Sequence, residues 1–193
     1  MAKIVLWCCR WWRCPVGLLL AVAGLVALEP DDPAGPDVVE QAVVVAGLGF
    51  VLPGTWQADE SPAGGCLAVW RDQSSDLVLA VARAPRLTMS EGFAAWVDGE
   101  RRALTELGEH GVEIVEDQSW QSRPGSGWLI AYRFSFIGHH WYQRAHLMQV
   151  DGLGLIVTLA CPADQQAESH DQMAAIVSSF SPVVVPDTQG STP

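Results

Sequence analysis

The sequence is short of basic residues. It has 11 Lys and Arg against 22 Asp and Glu in 193 residues, a formal net charge of −11. Lys3, Arg10 and Arg13 fall in the first 28 positions, which hold no acid, so the rest carries 8 basic and 22 acidic residues, a net of −14. A body this acidic repels phosphate backbones, which argues against nucleic-acid binding. The acidity itself is read as a solubility device. No C-x-x-C spacing occurs, so zinc and thioredoxin-type chemistry have no support. No G-x-S-x-G occurs either. The RPGSG turn from Arg123 to Gly127 lacks the Lys-Ser/Thr that a phosphate loop needs.

The histidines do not form a metal set. His139 and His140 are consecutive in a strand-like stretch and point to opposite faces. His140 and His146 share a face but stand roughly 20 Å apart at about 3.3 Å per residue. They are read as solvated or turn histidines, and His170 as lying on a helix surface. Cys66 and Cys161 have no basic cluster beside them to activate a thiolate. No metal, no cofactor and no enzymatic activity are therefore expected.

Charged residues make up 17% and hydrophobic residues 49% of the chain, which excludes wholesale disorder and suits one domain with a substantial core. The first 28 residues stand apart. Pro15 to Leu28 is an uncharged apolar run behind basic residues, shorter than the roughly 20 residues of a spanning helix and closer to a signal-peptide core. Cleavage after Ala23 or Ala27 would suit it, and no Cys follows the run to serve as a lipid attachment site. The leader also crowds in three Trp and the cysteines Cys8, Cys9 and Cys14. Two readings stay open: an export signal or anchor, which places the protein in the cell envelope, or a start assigned too far upstream, with a cytoplasmic chain beginning near Val38 or Val39. If exported, Cys66 and Cys161 could pair, a loop closure that stabilises by roughly 4–5 kcal/mol. If cytoplasmic, they are buried thiols.

Residues 29–42 form a Pro-rich acidic linker, and the domain spans 43–182, with a frayed tail at 183–193. Val43 to Leu52 reads as a strand broken by Gly47 and Gly49. Cys66 to Trp70 is a second strand. Leu77 to Ala82 is apolar on both faces and is expected in the middle of a sheet. A helix follows, capped by Ser90, with Phe93, Trp96, Val97, Leu104 and Leu107 on its apolar face and Gly108 at its end. Val112 to Trp120 is a strand. Trp128, Ile130, Tyr132, Phe134 and Phe136 alternate along the next. Asp151-Gly152 marks a two-residue hairpin. A closing helix carries Met173, Ile176, Val177 and Phe180. The fold class is α+β: an antiparallel sheet with a long middle helix and a C-terminal helix. Nine tryptophans suggest a binding surface as well as a core. Trp96 and Trp128 are assigned to the core. Trp56, Trp70 and Trp141, at strand ends or turns, are candidate partner-binding residues, joined by Gln143, Leu147, Gln149 and Leu155 on the two strands of the late hairpin.

Gly49 to Trp56, with its F-x-L-P-x-x-W pattern, resembles the opening of the DcrB-like proteins of the PsbP-like superfamily. The segments Trp141-Tyr142-Gln143, Leu155-Ile156-Val157-Thr158 and Ser178-Ser179-Phe180, and the helix with Trp96-Val97 and Leu104 to Leu107, resemble that group in order and spacing from Val43 to Pro182. Within it the sequence is similar to the Eag-type chaperones of type VI secretion, in Arg71-Asp72, in Tyr142-Gln143 and in an acid after Trp56, here Asp59, one place later than in the pattern. The leader and the Thr55-Trp56 turn depart from it. The resemblance implies a PsbP-like fold and a dimeric, non-catalytic adaptor or chaperone that shields a hydrophobic segment of a secreted protein in a groove of the sheet. An exported or membrane-anchored envelope protein of the DcrB-like branch is the alternative, with membrane contact only if residues 1–28 are an anchor.

Overall fold

The computed structural model describes residues 40–60, 62, 66–84, 92–122 and 125–183. A three-stranded antiparallel sheet joins β1 (Gln41–Val45), β2 (Leu48–Leu52) and β10 (Ser181–Pro182) in the order β1-β2-β10. The large sheet has seven antiparallel strands: β3 (Trp56–Ala58), β4 (Cys66–Asp72), β5 (Val78–Arg83), β6 (Glu113–Ser122), β7 (Gly125–Phe136), β8 (His139–Val150) and β9 (Leu153–Pro162). Their order is β3-β4-β5-β9-β8-β7-β6. Two α-helices complete the described fold, α1 (Phe93–Glu106) and α2 (Gln166–Ser178).

The fold is α+β, as the alternation of residues implies. Among the described residues three two-residue turns have positive φ at both positions, Ala46-Gly47, Ile137-Gly138 and Asp151-Gly152. Such turns match the right-handed twist of the strands they join. The Asp151-Gly152 turn pairs Val150 with Leu153, as the sequence implies. Val43 to Leu52 is a hairpin of two strands rather than one interrupted strand, because Ala46 and Gly47 turn the chain. Gly111, at φ 86°, ends the helical segment after a 3-10 turn at Leu107–His110, and Gly108 does not. The residue flanking α1 at its start is Gly92, which makes no side-chain cap. Ser90, the expected cap, lies outside the described residues, as do residues 1–39 and 184–193.

Alternation along the strands divides the large sheet's side chains between two cores. On one face α1 lays Trp96, Val97 and Leu104 over Ile130, Tyr132, Ala145 and Leu147. On the other, α2 and the small sheet bring Met173, Ile176, Phe180, Leu48, Phe50 and Leu52 against Leu79, Val81, Leu155, Val157 and Leu159. Burying both sheet faces explains why β5 and β9 read as near-continuous apolar runs. Ser179 Oγ accepts a hydrogen bond from the Val51 amide at 2.9 Å, tying the end of α2 to the small sheet.

Cys161 is a free thiol in the core beneath α2, whereas Cys66 packs with Val69 and Ala80 on the opposite sheet face. The Cys66–Cys161 pairing is thereby ruled out, since a disulfide cannot pass through the sheet. Burial, opposed by a Ser169 hydrogen bond and reinforced by nearby Asp164 and Glu168, pushes the Cys161 thiol up to about 11.

Candidate functional site

Helix α1 does not cover its face of the sheet evenly. It is held toward the β6 end: Arg101 Nε donates to Asp117 Oδ2 at 2.6 Å, and its guanidinium stacks over Trp128, 5.5 Å from the ring centre. Beyond β8 the same face continues across β9, β5, β4 and β3. One cross-strand row runs Tyr132–Gln143–Ala160–Val78–Arg71–Gln57, and the next runs Ile130–Ala145–Thr158–Ala80–Val69. Val69 and Ala80 form a small cluster of their own with Cys66 and Val78, and no residue of α1 belongs to it.

This stretch of the sheet face carries small side chains, Ala80 and Ala160 among them, and is enclosed: Val69 is 1% and Ala80 6% exposed. Trp141 and Gln143 stand on its β8 side. Both are more than nine-tenths buried, and the Trp141 Nε1 and Gln143 Oε1 atoms have no hydrogen-bond partner. Buried polar atoms ordinarily find partners, so two together, beside small apolar residues, mark a surface suited to an additional backbone or side chain. At the outer end Gln57, Ala58, Asp59, Glu60, Arg71 and Gln73 surround a pocket of about 440 Å³, with Arg71 4.0 Å from Asp59.

Glu100 belongs to the inward stripe of α1, one turn after Trp96, whose Nε1 donates to its carboxylate at 3.0 Å. Burial pushes its carboxyl up to about 7, against that hydrogen bond, which lowers it. Glu100 is thus turned toward the sheet and half-buried.

The seven expected partner-binding residues do not share a surface. Trp141, Gln143, Leu147 and Gln149 point to the α1 face. Trp56, Trp70 and Leu155 point the other way, 1%, 5% and 0% exposed in the core under α2 and the small sheet. Leu147, 2% exposed, lies under α1. These four are core residues, because alternation places each on an enclosed stretch of sheet. Gln149 is exposed near the hairpin tip. Trp141 and Gln143 are the two that lie together on the α1 face beside the small residues of β9 and β5. Ala80, Thr158 and Ala160 were missed as site residues; their signal was the unusual run of small residues in strands apolar on both sides.

A second polar cluster lies under α2. A bulge between Ile114 and Glu116 turns Glu116 onto the α2 face. There its Oε1 accepts from Arg144 Nη1 at 3.3 Å and from the Tyr142 hydroxyl at 3.2 Å, while Arg144 also meets His170 Nδ1. Burial, then the Glu116 charge, lifts Tyr142 to about 12. His146 is 5% exposed with its ring edge-on to Trp120 at 5.2 Å. Burial and the Arg144 charge push it down to about 3, so it is neutral at pH 7. It is thus a buried core histidine and not a solvated one. His139, His140 and His170 are exposed. Among the described residues no group of three His, Cys, Asp or Glu is placed to hold a metal ion, and no helix is long and apolar enough to cross a membrane.

No protein-family model matches the sequence, and no curated protein matches it. Solved structures do match its fold. The solution structure of cyanobacterial PsbP (CyanoP) from Synechocystis sp. PCC 6803 superposes with a TM-score of 0.52 at 17% identity, covering 80% of this chain and 99% of that one. The Saccharomyces cerevisiae Ran-binding protein Mog1p superposes at 0.51 with 12% identity, over 76% and 97%. LpqN, described as involved in cell envelope biogenesis of Mycobacterium tuberculosis, superposes at 0.51 with 12% identity, over 76% and 91%. The chain therefore has the PsbP-like fold.

Proposed function

We propose that the protein is a non-catalytic binding protein that shields an apolar segment of a partner protein on the sheet face beside α1. The observation that carries this reading is the pairing of unpartnered, buried Trp141 Nε1 and Gln143 Oε1 with a floor of small residues. An apolar helix or strand laid there would bury its side chains on Ala80, Thr158 and Ala160 and offer polar backbone groups to Gln143 and Trp141. The finer form is an adaptor or chaperone for a secreted partner, of the Eag type, with a second copy of the chain closing over the bound segment. Its support is the resemblance in Arg71-Asp72 and Tyr142-Gln143 and the acidic body, which keeps such a carrier soluble.

The chemistry elsewhere fits a binding role. Cys161 is held protonated, His146 makes no hydrogen bond through either ring nitrogen, and neither meets the other requirements of a nucleophile and base pair. The test is direct binding of a fluorescent, uncharged Leu/Ala-rich 18-residue peptide to the full chain. Thr158→Arg puts a charge on this sheet face and should weaken binding at least tenfold, while Glu109→Arg, on the exposed turn after α1, should not. Equal loss in both, or no binding by the parent chain at any accessible concentration, sinks the proposal.

A second reading places the protein in the cell envelope. It rests on the apolar run Pro15 to Leu28 behind basic residues, and the involvement of LpqN in cell envelope biogenesis is consistent with it. Fractionation with N-terminal mass mapping distinguishes the two locations: a soluble chain starting near Val38 favours the cytoplasmic carrier, and a chain cleaved near Ala23 or Ala27 favours the envelope.

A further inference from the structure

We infer that β1 is a self-association edge: it pairs antiparallel with β1 of a second copy of the chain, about a two-fold axis through Val43. This goes beyond the binding reading above and does not rest on it.

The two sheets have four edge strands among the described residues, β1 and β10 in the small sheet and β3 and β6 in the large one. An exposed edge invites pairing with another chain, and short length, charge, proline or a bulge blunts it. Three of the four are blunted. β6 carries Glu113, Glu116 and Asp117 and a bulge between Ile114 and Glu116. β3 has three residues, and its Trp56 carbonyl already accepts from Gln41 Nε2 at 3.1 Å. β10 has two residues and ends in Pro182, which has no N–H. β1 has none of these devices. Its sequence, QAVVV, is free of charge and proline in a strongly acidic chain.

Register decides which backbone groups this edge offers. Ala46-Gly47 is a two-residue turn, so Val45 and Leu48 beside it form a hydrogen-bonded pair. Alternation then turns the N–H and C=O of Gln41, Val43 and Val45 toward β2, and those of Ala42 and Val44 outward. Among the described residues no backbone hydrogen bond reaches that outer side of Ala42 or Val44.

Two outward residues separated by one inward residue are self-complementary. Setting Val43 opposite its own copy places Ala42 opposite Val44 and Val44 opposite Ala42. Each of those pairs exchanges two bonds, so the edge gains four backbone hydrogen bonds. Small Ala42 then lies beside Val44, which is 56% exposed in the single chain, and Gln41 lies opposite Val45. No charge on the strand meets its like. Two five-residue strands run only about 17 Å side by side, less than a standard interface needs, so the dimer is weak and forms at high concentration.

The test is sedimentation velocity of the full chain from about 10 μM to about 1 mM, with amide hydrogen exchange at both ends of that range. The expected result is a monomer that becomes a dimer. The Ala42 and Val44 amides should slow at least tenfold at high concentration, while Val43 and Val45 exchange slowly throughout. Val44→Glu puts a charge on the exposed side of the strand. Ala42→Pro removes two of the four new hydrogen bonds and leaves the bonds to β2 intact. Each should weaken association at least tenfold. Gln121→Glu, on the β6 edge, adds the same charge elsewhere and should leave association unchanged. Association that survives both β1 variants, or falls equally with Gln121→Glu, overturns the β1 interface. A chain that stays monomeric with both amides exchanging freely has an open edge that takes no second copy, which overturns it too. Amides protected equally at every concentration in a monomer mean that the chain covers its own edge, and the second copy is then excluded.

Discussion

Gly127 on β7 faces Trp120 on β6 so closely that a methyl group at Gly127 would lie 2.6 Å from the indole Cε2 and Nε1, and 2.5 Å from the Leu147 carbonyl oxygen. Backbone and a packed ring both block the space, and neither can yield cheaply. Trp120 is itself held edge-on between His146 and Phe180, at 5.2 and 6.2 Å. Gly127→Ala should therefore destabilise the fold by about 1–3 kcal/mol, the cost of overpacking. Urea unfolding would read this as a lower midpoint with an unchanged slope. An unchanged midpoint would mean that the β6 edge gives way freely.

Glu100 and His146 set opposite pH slopes. The Glu100 carboxyl rises from 4.5 to about 7, so the folded state holds the extra proton, and stability falls as pH climbs through that window. The loss is about 3 kcal/mol when complete. His146 drops from 6.5 to about 3, so the unfolded state holds the extra proton, and stability falls as pH drops from 6.5 toward 3. Between about 4.5 and 6.5 the two slopes cancel and leave a plateau. Glu100→Gln should remove the decline above pH 6.5 and gain most at pH 8. Thermal melts of parent and variant from pH 4 to 8 check this; a gain as large at pH 4 as at pH 8 would refute the assignment.

Arg144 holds the polar cluster under α2 together. Its side chain is 10% exposed and pairs with Glu116, at 24%. Arg144→Met leaves that carboxylate to the Tyr142 hydroxyl and the Gln118 amide and strips His170 of its contact. Breaking a fully buried pair costs about 3–5 kcal/mol, and partial exposure reduces this to about 2 kcal/mol. The same change removes the positive charge that helps to depress His146. Its ring should then titrate at higher pH in a histidine-detected NMR series. A titration unmoved by the substitution would show that burial alone sets it.

Much of this fold was legible from residue alternation. The paired faces of β7, β8 and β9 follow directly from Trp128 to Phe134, Gln143 to Gln149 and Leu153 to Leu159, and Asp151-Gly152 fixed their register. The small sheet was not legible, because Ala46 carries no turn signal even though its φ is 50°. Nor was the fate of Trp56, Trp70 and Leu155. Alternation shows which residues share a face but not which face is enclosed, and that depends on where α2 and the β1–β2 hairpin pack. The same limit hid Glu116, which reaches Arg144 only because a bulge reverses the alternation in β6. At the candidate site, Trp141 and Gln143 were accessible to sequence reasoning because bulky or amide side chains invite a binding role. The alanines beside them were not, since small side chains in a strand apolar on both faces read as core.

Ile137 is the most conspicuous local misfit. It occupies the first position of the Ile137-Gly138 turn at φ 49°, where a β-branched residue is strained, and 67% of it is exposed. Asn tolerates this conformation and Gly adopts it without a Cβ clash. The turn pairs Phe136 with His139 and so sets the register of β7 and β8, the strands that carry both Trp141 and Gln143. Ile137→Asn should relieve the strain and stabilise the fold by about 1 kcal/mol, with Ile137→Gly close behind because its unfolded chain is freer. Neither loses core packing. Both should leave peptide binding unchanged if the turn serves register alone. Thermal melts and the peptide titration, run on the same samples, read the two effects separately; destabilisation by Asn would show that the Ile137 side chain makes a contact worth more than its backbone strain.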